Sequence, residues 1–227
     1  MRKTKSQSQK SFEQLLITPA LALITSLEQV TNNRRVTIIY VDQLPWKTVA
    51  TRIVKDLGLA AGQEHQSTSL SRRIFECERR LSISLSIQLL SYRIRSRREI
   101  SDMLVARKIS PDAIDQAIAH LEAADYLNDM VFTRIWIKER IDVHGFGRQR
   151  IKNELLAKGV DRGMIESELT PAYTVENEIA QASKLALSRI TRYKDLDAAT
   201  KRRRLTQVLM RRGFSSQIAS SVLSELV

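Results

Sequence analysis

A chain of 227 residues with 43% hydrophobic content is long enough to bury a core in one or two domains. Aromatics at 5%, with 7 Gly and 4 Pro, argue against an all-β architecture and for helices held by Leu, Ile and Ala. The net charge of +12 bears on partners (nucleic acid, an acidic protein, an anionic surface), and the lone Cys77 excludes an intramolecular disulfide and any multi-cysteine metal site.

Residues 1–14 are basic and rich in Ser and Gln, which predicts a disordered basic arm. The run Ala20–Ile24 is too short for a signal core, and no apolar stretch approaches the roughly 18–20 residues of a membrane span. A cytoplasmic protein without membrane contact is expected. Residues 15–66 read as a small β-meander plus a helix. Leu23–Val30, Arg34–Val41 and Trp46–Val49 are the strands, with turns at Asn32-Asn33 and at Asp42-Gln43-Leu44-Pro45. Thr48–Leu57, closed by Gly58, is the covering helix, and Gly62–Ser69 is a polar link.

The remainder repeats itself. Ile100–Ile109, Ile151–Val160 and Leu205–Phe214 each open and close on an apolar residue, with Leu104, Leu155 and Leu209 at the same place inside. Ile118, Leu169 and Leu223 follow nine positions later, and the offsets are 51 and 54 residues. A period that long marks stacked helical units too small to bury their own apolar faces alone. Each copy reads as helix, tight turn, N-cap and second helix, with Ile109, Val160 or Phe214 plugging the turn. Ser96-Arg97-Arg98-Glu99 is a capping box, and Ser110, Asp161 and Ser215 are the second-helix caps. A further helix precedes each pair: Leu70–Ile94, Asn128–Val143 and Pro171–Arg192, the last started by Thr170-Pro171. His144-Gly145-Phe146-Gly147 reads as a flexible break. The expected fold is mostly α: tandem three-helix repeats (67–124, 125–169 and 170–227) in an elongated curved array, with a small N-terminal β-containing segment.

Two repeat positions are basic in all three copies: Arg97, Arg148 and Arg202 at the helix start, and Arg107, Lys158 and Arg212 at its end. A cation near a helix C-terminus is favourable by about 0.3–1 kcal/mol, so local stability accounts for the second set. A cation in the first turn opposes the dipole, so the first set, with neighbours Arg98, Arg150, Arg203 and Arg204, points to an external anion. All ten are candidate partner-binding residues. His65, His120 and His144 lack metal-ligand spacing, and Glu76/Glu78 and Glu166/Glu168 are two apart, so a helix points them to different sides. No phosphate loop, catalytic constellation, metal site or cofactor site is expected. Tyr126, Phe132 and Trp136 form a core stripe, and Trp46 anchors the small sheet.

From about Leu81 to Val227 these features resemble the bacterial RecX regulators of the RecA recombinase. The resemblance is carried by Ser96-Arg97-Arg98-Glu99-Ile100, by Tyr126-Leu127-Asn128-Asp129 leading to Phe132, and by Gly145 and Gly147-Arg148 followed by Ile151, Glu154-Leu155 and Lys158-Gly159-Val160. The chain departs from the family pattern at Phe146, where Pro is common, at Ala124-Asp125, where a Gly is usual, and at Asn128, where an acid is frequent. The resemblance implies a non-enzymatic monomer without cofactor that lies in the RecA–DNA filament groove. There it inhibits strand exchange and ATP hydrolysis in recombination, DNA repair and the SOS response. The basic charge adds an expected weak, salt-sensitive contact to single- or double-stranded DNA. The competing reading is a helix-turn-helix-like protein acting directly on DNA. A nuclease finds no acidic cluster or nucleophile in support.

Overall fold

The computed structural model describes residues 21–226; the expected arm, 1–14, lies outside the described residues. Two compact units form. One comprises residues up to 89 with 101–124, the other 90–100 with residues from 125 onward.

The first unit begins with an antiparallel sheet of order β3-β2-β1-β4, in which β1 is Leu21–Val30, β2 Asn33–Val41, β3 Leu44–Ala50 and β4 Glu64–Gln66. The β-branched run of β2 makes it the natural partner for both neighbours. Its turn into β3 is two residues long, with Asp42 and Gln43 both left-handed (φ 50 and 66). That conformation matches the right-handed twist of the flanking strands, so Val41 pairs directly with Leu44. Pro45 is tolerated because β3 is an edge strand.

The covering helix α1, Thr51–Asp56, is shorter than the expected Thr48–Leu57, because residues 48–50 stay in the β3 ladder. Part of the polar link forms β4, which pairs with the start of β1. Three residues of polar sequence carry no alternation that would have revealed it. Ile24, Ile39, Val49 and Ile53 pack on Leu70, Ile74, Cys77 and Leu81 of the long helix α2, Ser67–Tyr92, and Trp46 packs against this core. Cys77 is therefore structural. Glu78 is buried in the same helix and accepts a hydrogen bond from the Ser110 hydroxyl. Ser110 holds the N-cap backbone position of α4 but gives its side chain to Glu78.

The repeat helices follow: α3 Arg97–Val105, α4 Pro111–Ala123, α5 Asp129–Asp142, α6 Arg148–Ala157, α7 Arg162–Ala172, α8 Val175–Ile190, a short 3₁₀ turn at Thr191–Tyr193, α9 Ala198–Arg211 and α10 Ser216–Leu226. The capping box closes as expected. The Glu99 N–H donates to Ser96 Oγ and the Ser96 N–H donates to Glu99 Oε2, both at 3.2 Å. Asp161 and Ser215 also cap, accepting from Gly163 and Ile218 N–H groups at 2.7 and 3.2 Å. The three plug residues Ile109, Val160 and Phe214 are buried.

Pro171 does not start the third repeat. It lies in the last turn of α7, and α8 begins at Val175 behind Thr174, whose Oγ accepts from Asn177 N–H at 3.3 Å. Tyr173, in the turn between the two helices, is buried. Two further cores fill the second unit. Phe132, Ile151, Leu155, Val160, Leu169 and Tyr173 form one; Ala182, Leu205, Leu209, Phe214 and Leu223 form the other. Tyr126 leaves the expected stripe and is 57% exposed.

Candidate functional site: the inter-repeat joints and the exposed cations

Within the second unit, the helix starts and the helix-end turns that carry the repeated basic positions meet each other. Ser96, just before α3, donates its hydroxyl to the Lys158 carbonyl in the turn after α6 (2.7 Å). One repeat later, Gly147, just before α6, donates its N–H to the Arg212 carbonyl in the turn after α9 (2.9 Å), and Gln149 N–H donates to Gly213 O (3.0 Å). These are equivalent positions in the 51- and 54-residue periods. Each joint seats a helix start of one repeat on the helix-end turn of the next.

A second shared element caps the exposed N–H groups of each helix start. Arg97 N–H donates to Asp129 Oδ1 at 2.7 Å, and Arg148 N–H donates to Glu178 Oε1 at 2.9 Å. Both carboxylates belong to the first helix of the repeat that follows, so a charge-assisted cap crosses each joint. At the end of the series α9 is capped locally, by Asp197 accepting from Thr200 N–H at 2.9 Å.

The turns are left-handed at Gly159 (φ 77) and Gly213 (φ 92). A Cβ on Gly159 would lie 2.3 Å from Arg98 Cδ and 2.6 Å from its Cβ; one on Gly213 would lie 2.2 Å from Arg150 Cβ and 2.5 Å from its backbone N. Gly147 is as tight, with Gly213 backbone atoms 2.4 Å from a virtual Cβ. These glycines are contact surfaces as well as turn residues. The expected flexible break at His144–Gly147 is thus a packed joint with Phe146 buried in it. Phe146, the residue that departs from the family's Pro, offers its ring to Arg150 (3.7 Å) and Arg212 (5.6 Å).

The ten candidate cations therefore divide. Arg148 is largely committed: its guanidinium donates to the Tyr173 carbonyl, to Thr170 Oγ1 at 3.5 Å, and lies 3.9 Å from Glu178, leaving the side chain 27% exposed. Burial, and then the Glu178 charge, push the Tyr173 hydroxyl pKa up; Arg148 opposes this. Arg150 binds Glu154 at 3.1 Å, Lys158 binds Glu99 at 2.9 Å and lies 4.3 Å over Trp136, and Arg212 donates to His144 O at 3.2 Å. Arg107 donates to Met103 O at 2.8 Å, the helix-end role that local stability predicts. Arg97 and Arg98 have exposed side chains at the first joint.

Arg202, Arg203 and Arg204 are exposed, but not at a helix start. α9 begins at Ala198, so Arg202 lies more than a turn inside, where the macrodipole argument fades. Arg204 lies 5.8 Å from the Tyr193 ring. Arg202 and Arg203 make no ion pair among the described residues.

Glu99 is the electrostatic hub of the first joint. Arg93 and Lys158 each reach Glu99 Oε1 at 2.9 Å. Burial pushes its carboxyl up, but hydrogen bonds from Arg93, Lys158 and Ser96 N–H, with the Lys158 charge, outweigh burial and hold it at about 2 instead of 4.5. A lowered folded-state pKa stabilises above the unfolded value, and that stability is lost as pH falls from about 4.5 toward about 2. After discounting for solvent screening the contribution is on the order of 1 kcal/mol. Urea titrations at pH 6 and 2.5 should show wild type losing about that much more than Glu99→Gln. Equal losses would contradict the assignment.

Sequence reasoning missed the glycine contacts and the crossing caps Asp129 and Glu178. One signal was present: the turn position is Gly159 and Gly213 where a helix start packs, and an exposed, left-handed Lys108 (φ 61) in the first repeat. Glu166 and Glu168 go to Lys152 and Arg134, and no group of three His, Cys, Asp or Glu among the described residues is placed to hold a metal ion. No described helix is long and apolar enough to cross a membrane.

Three family models match: the first three-helix domain of RecX over residues 84–121, the second over 128–169 and the third over 176–223, together more than half of the chain. The "Regulatory protein RecX" of Listeria welshimeri is 32% identical over 146 residues, covering 64% of this chain and 54% of that protein. That of Oceanobacillus iheyensis is 33% identical over 144 residues, covering 63% and 52%. The chain spans about half the length of these two relatives. The crystal structure of RecX from Lactobacillus salivarius superposes with a TM-score of 0.62 at 26% identity, over 66% of this chain and 97% of that one. Three consecutive three-helix modules with these joints, matched in order, place the chain in the RecX family.

Proposed function

We propose that this protein regulates the RecA recombinase by binding the groove of the RecA–DNA filament, inhibiting strand exchange and ATP hydrolysis in recombination, DNA repair and the SOS response. It acts in the cytoplasm as a monomer, without catalysis of its own, through the three modules expected at 67–124, 125–169 and 170–227, with the last boundary shifted to the turn at Tyr173 between α7 and α8. The observation that carries this reading is the division among the cations. The joints consume Arg148, Lys158 and Arg212 in holding module to module, and Arg150 pairs with Glu154 inside its own helix, while Arg202, Arg203 and Arg204 remain exposed. Arg97, Arg98 and the Arg202–Arg204 run are the partner-facing set; several modest contacts on linked modules add up to high avidity.

The helix-turn-helix alternative is less well served. The second helices α4, α7 and α10 would be the groove readers, yet Arg162 is their one Lys or Arg. The test is strand exchange and DNA-stimulated ATP hydrolysis by the cognate RecA. Sub-stoichiometric protein should slow both, and Arg202→Glu/Arg203→Glu/Arg204→Glu should need about tenfold more protein for the same effect, a loss of about 1.4 kcal/mol. No inhibition at equal protomer concentration would exclude the reading.

A further inference from the structure

A basic groove in the first unit belongs to none of the joints. It encloses about 700 Å³ between the start of β2, α1 and α2, and its walls carry Arg34, Arg35, Arg52, Lys55 and Arg107 against a single acid, Asp56. Among the described residues Asp56 pairs only with Arg52, at 3.6 Å with both side chains exposed, an ion pair worth little in water. Arg34, Arg35 and Lys55 are exposed and make no ion pair among the described residues. The mounts are fixed. The Thr51 hydroxyl donates to the Arg34 carbonyl at 3.0 Å and meets the Thr37 hydroxyl at 2.9 Å, tying the start of β2 to the start of α1.

The groove continues. A second hollow of about 450 Å³ shares Arg52, Asp56 and Leu81 with the first and adds Arg80. The result is a cationic track, suited to a ligand whose negative charge repeats along its length. Its apolar floor, Leu81 and Leu85, already packs against the core of the sheet, so no apolar anchor is left for a peptide side chain. No aromatic lines either hollow, so there is no platform on which bases could stack. Planar arginine forks match phosphate oxygens in pairs.

We infer that this track binds the phosphate backbone of nucleic acid, without regard to base sequence. The inference is independent of the recombinase reading, because it needs no filament.

The experiment is fluorescence anisotropy of the full chain with a labelled mixed-sequence oligonucleotide, single-stranded and as duplex, across a NaCl series and without recombinase. Arg34→Glu/Arg35→Glu/Lys55→Glu should weaken binding at least about 100-fold at about 50 mM NaCl and flatten the log–log salt slope by about 2–3, at roughly 0.7–0.9 per phosphate contact. Arg192→Glu/Lys194→Glu, exposed cations outside both the track and the partner-facing set, should cost under about tenfold. The inference is overturned if the triple variant binds like wild type, if the control variant loses as much, or if poly-glutamate of equal charge competes as well as the oligonucleotide. Should the triple variant fail to fold by circular dichroism, Arg34→Gln/Lys55→Gln serves instead. Its slope should flatten by about 1–2, and an unchanged slope overturns the inference equally. Loss of DNA binding with recombinase inhibition intact would separate the two functions.

Discussion

Gly213→Ala should cost about 3 kcal/mol of stability. About 1 kcal/mol comes from holding a non-glycine residue at φ 92. The rest comes from contact: the new Cβ would meet the backbone N and Cα of Arg150 at 2.5 and 2.9 Å, and backbone cannot swing aside as a side-chain tip can. Gly159→Ala should cost less, about 2 kcal/mol, because part of what it meets is the mobile end of Arg98. Lys108→Gly, at the equivalent turn of the first repeat, should instead gain up to about 1 kcal/mol, since Lys108 already bears the left-handed strain. Urea unfolding followed through Trp136, which packs in the second unit's core, reports on both glycines. A Gly213→Ala midpoint equal to wild type would mean that the joint yields, and that the repeats are linked by chain alone.

Charge reversal at Arg148 and Arg202, equivalent by repeat, should give opposite results. Arg148→Glu places a second carboxylate beside Glu178 and removes the donor to the Tyr173 carbonyl, in a site where Glu178 is buried. Breaking a fully buried pair costs about 3–5 kcal/mol; with the Arg148 side chain 27% exposed, about 2–3 kcal/mol is expected. Arg202→Glu should change stability by less than about 0.5 kcal/mol, as for exposed positions elsewhere, and act only on partner binding. Thermal unfolding of the two variants side by side, with a recombinase inhibition assay, separates a structural cation from a binding one. If Arg148→Glu melts with wild type, the joint does not depend on that ion pair. A combined reversal of Arg97, Arg148 and Arg202 would mix the two effects, which is why the positions have to be tested singly.

The repeat period, the capping box and the buried plugs Ile109, Val160 and Phe214 were all legible in the chain, because apolar spacing and cap chemistry are local and each is dictated by backbone geometry over a few residues. The basic positions were legible as a pattern but not as roles. Whether Arg148 faces solvent or the Tyr173 carbonyl depends on residues 22–30 positions away, and one spacing rule describes it and Arg202 alike. The four-strand edge at Glu64–Gln66, the start of α8 behind Thr174, and the gathering of Arg34, Arg35, Arg52, Lys55 and Arg107 around one groove were decided only in three dimensions. Local chemistry fixed which helices form and where the turns at Ile109, Val160 and Phe214 fall. Which charges are spent inside the protein and which are left for a partner was set by packing, because the energy of a charge depends on what surrounds it and not on its place in the chain.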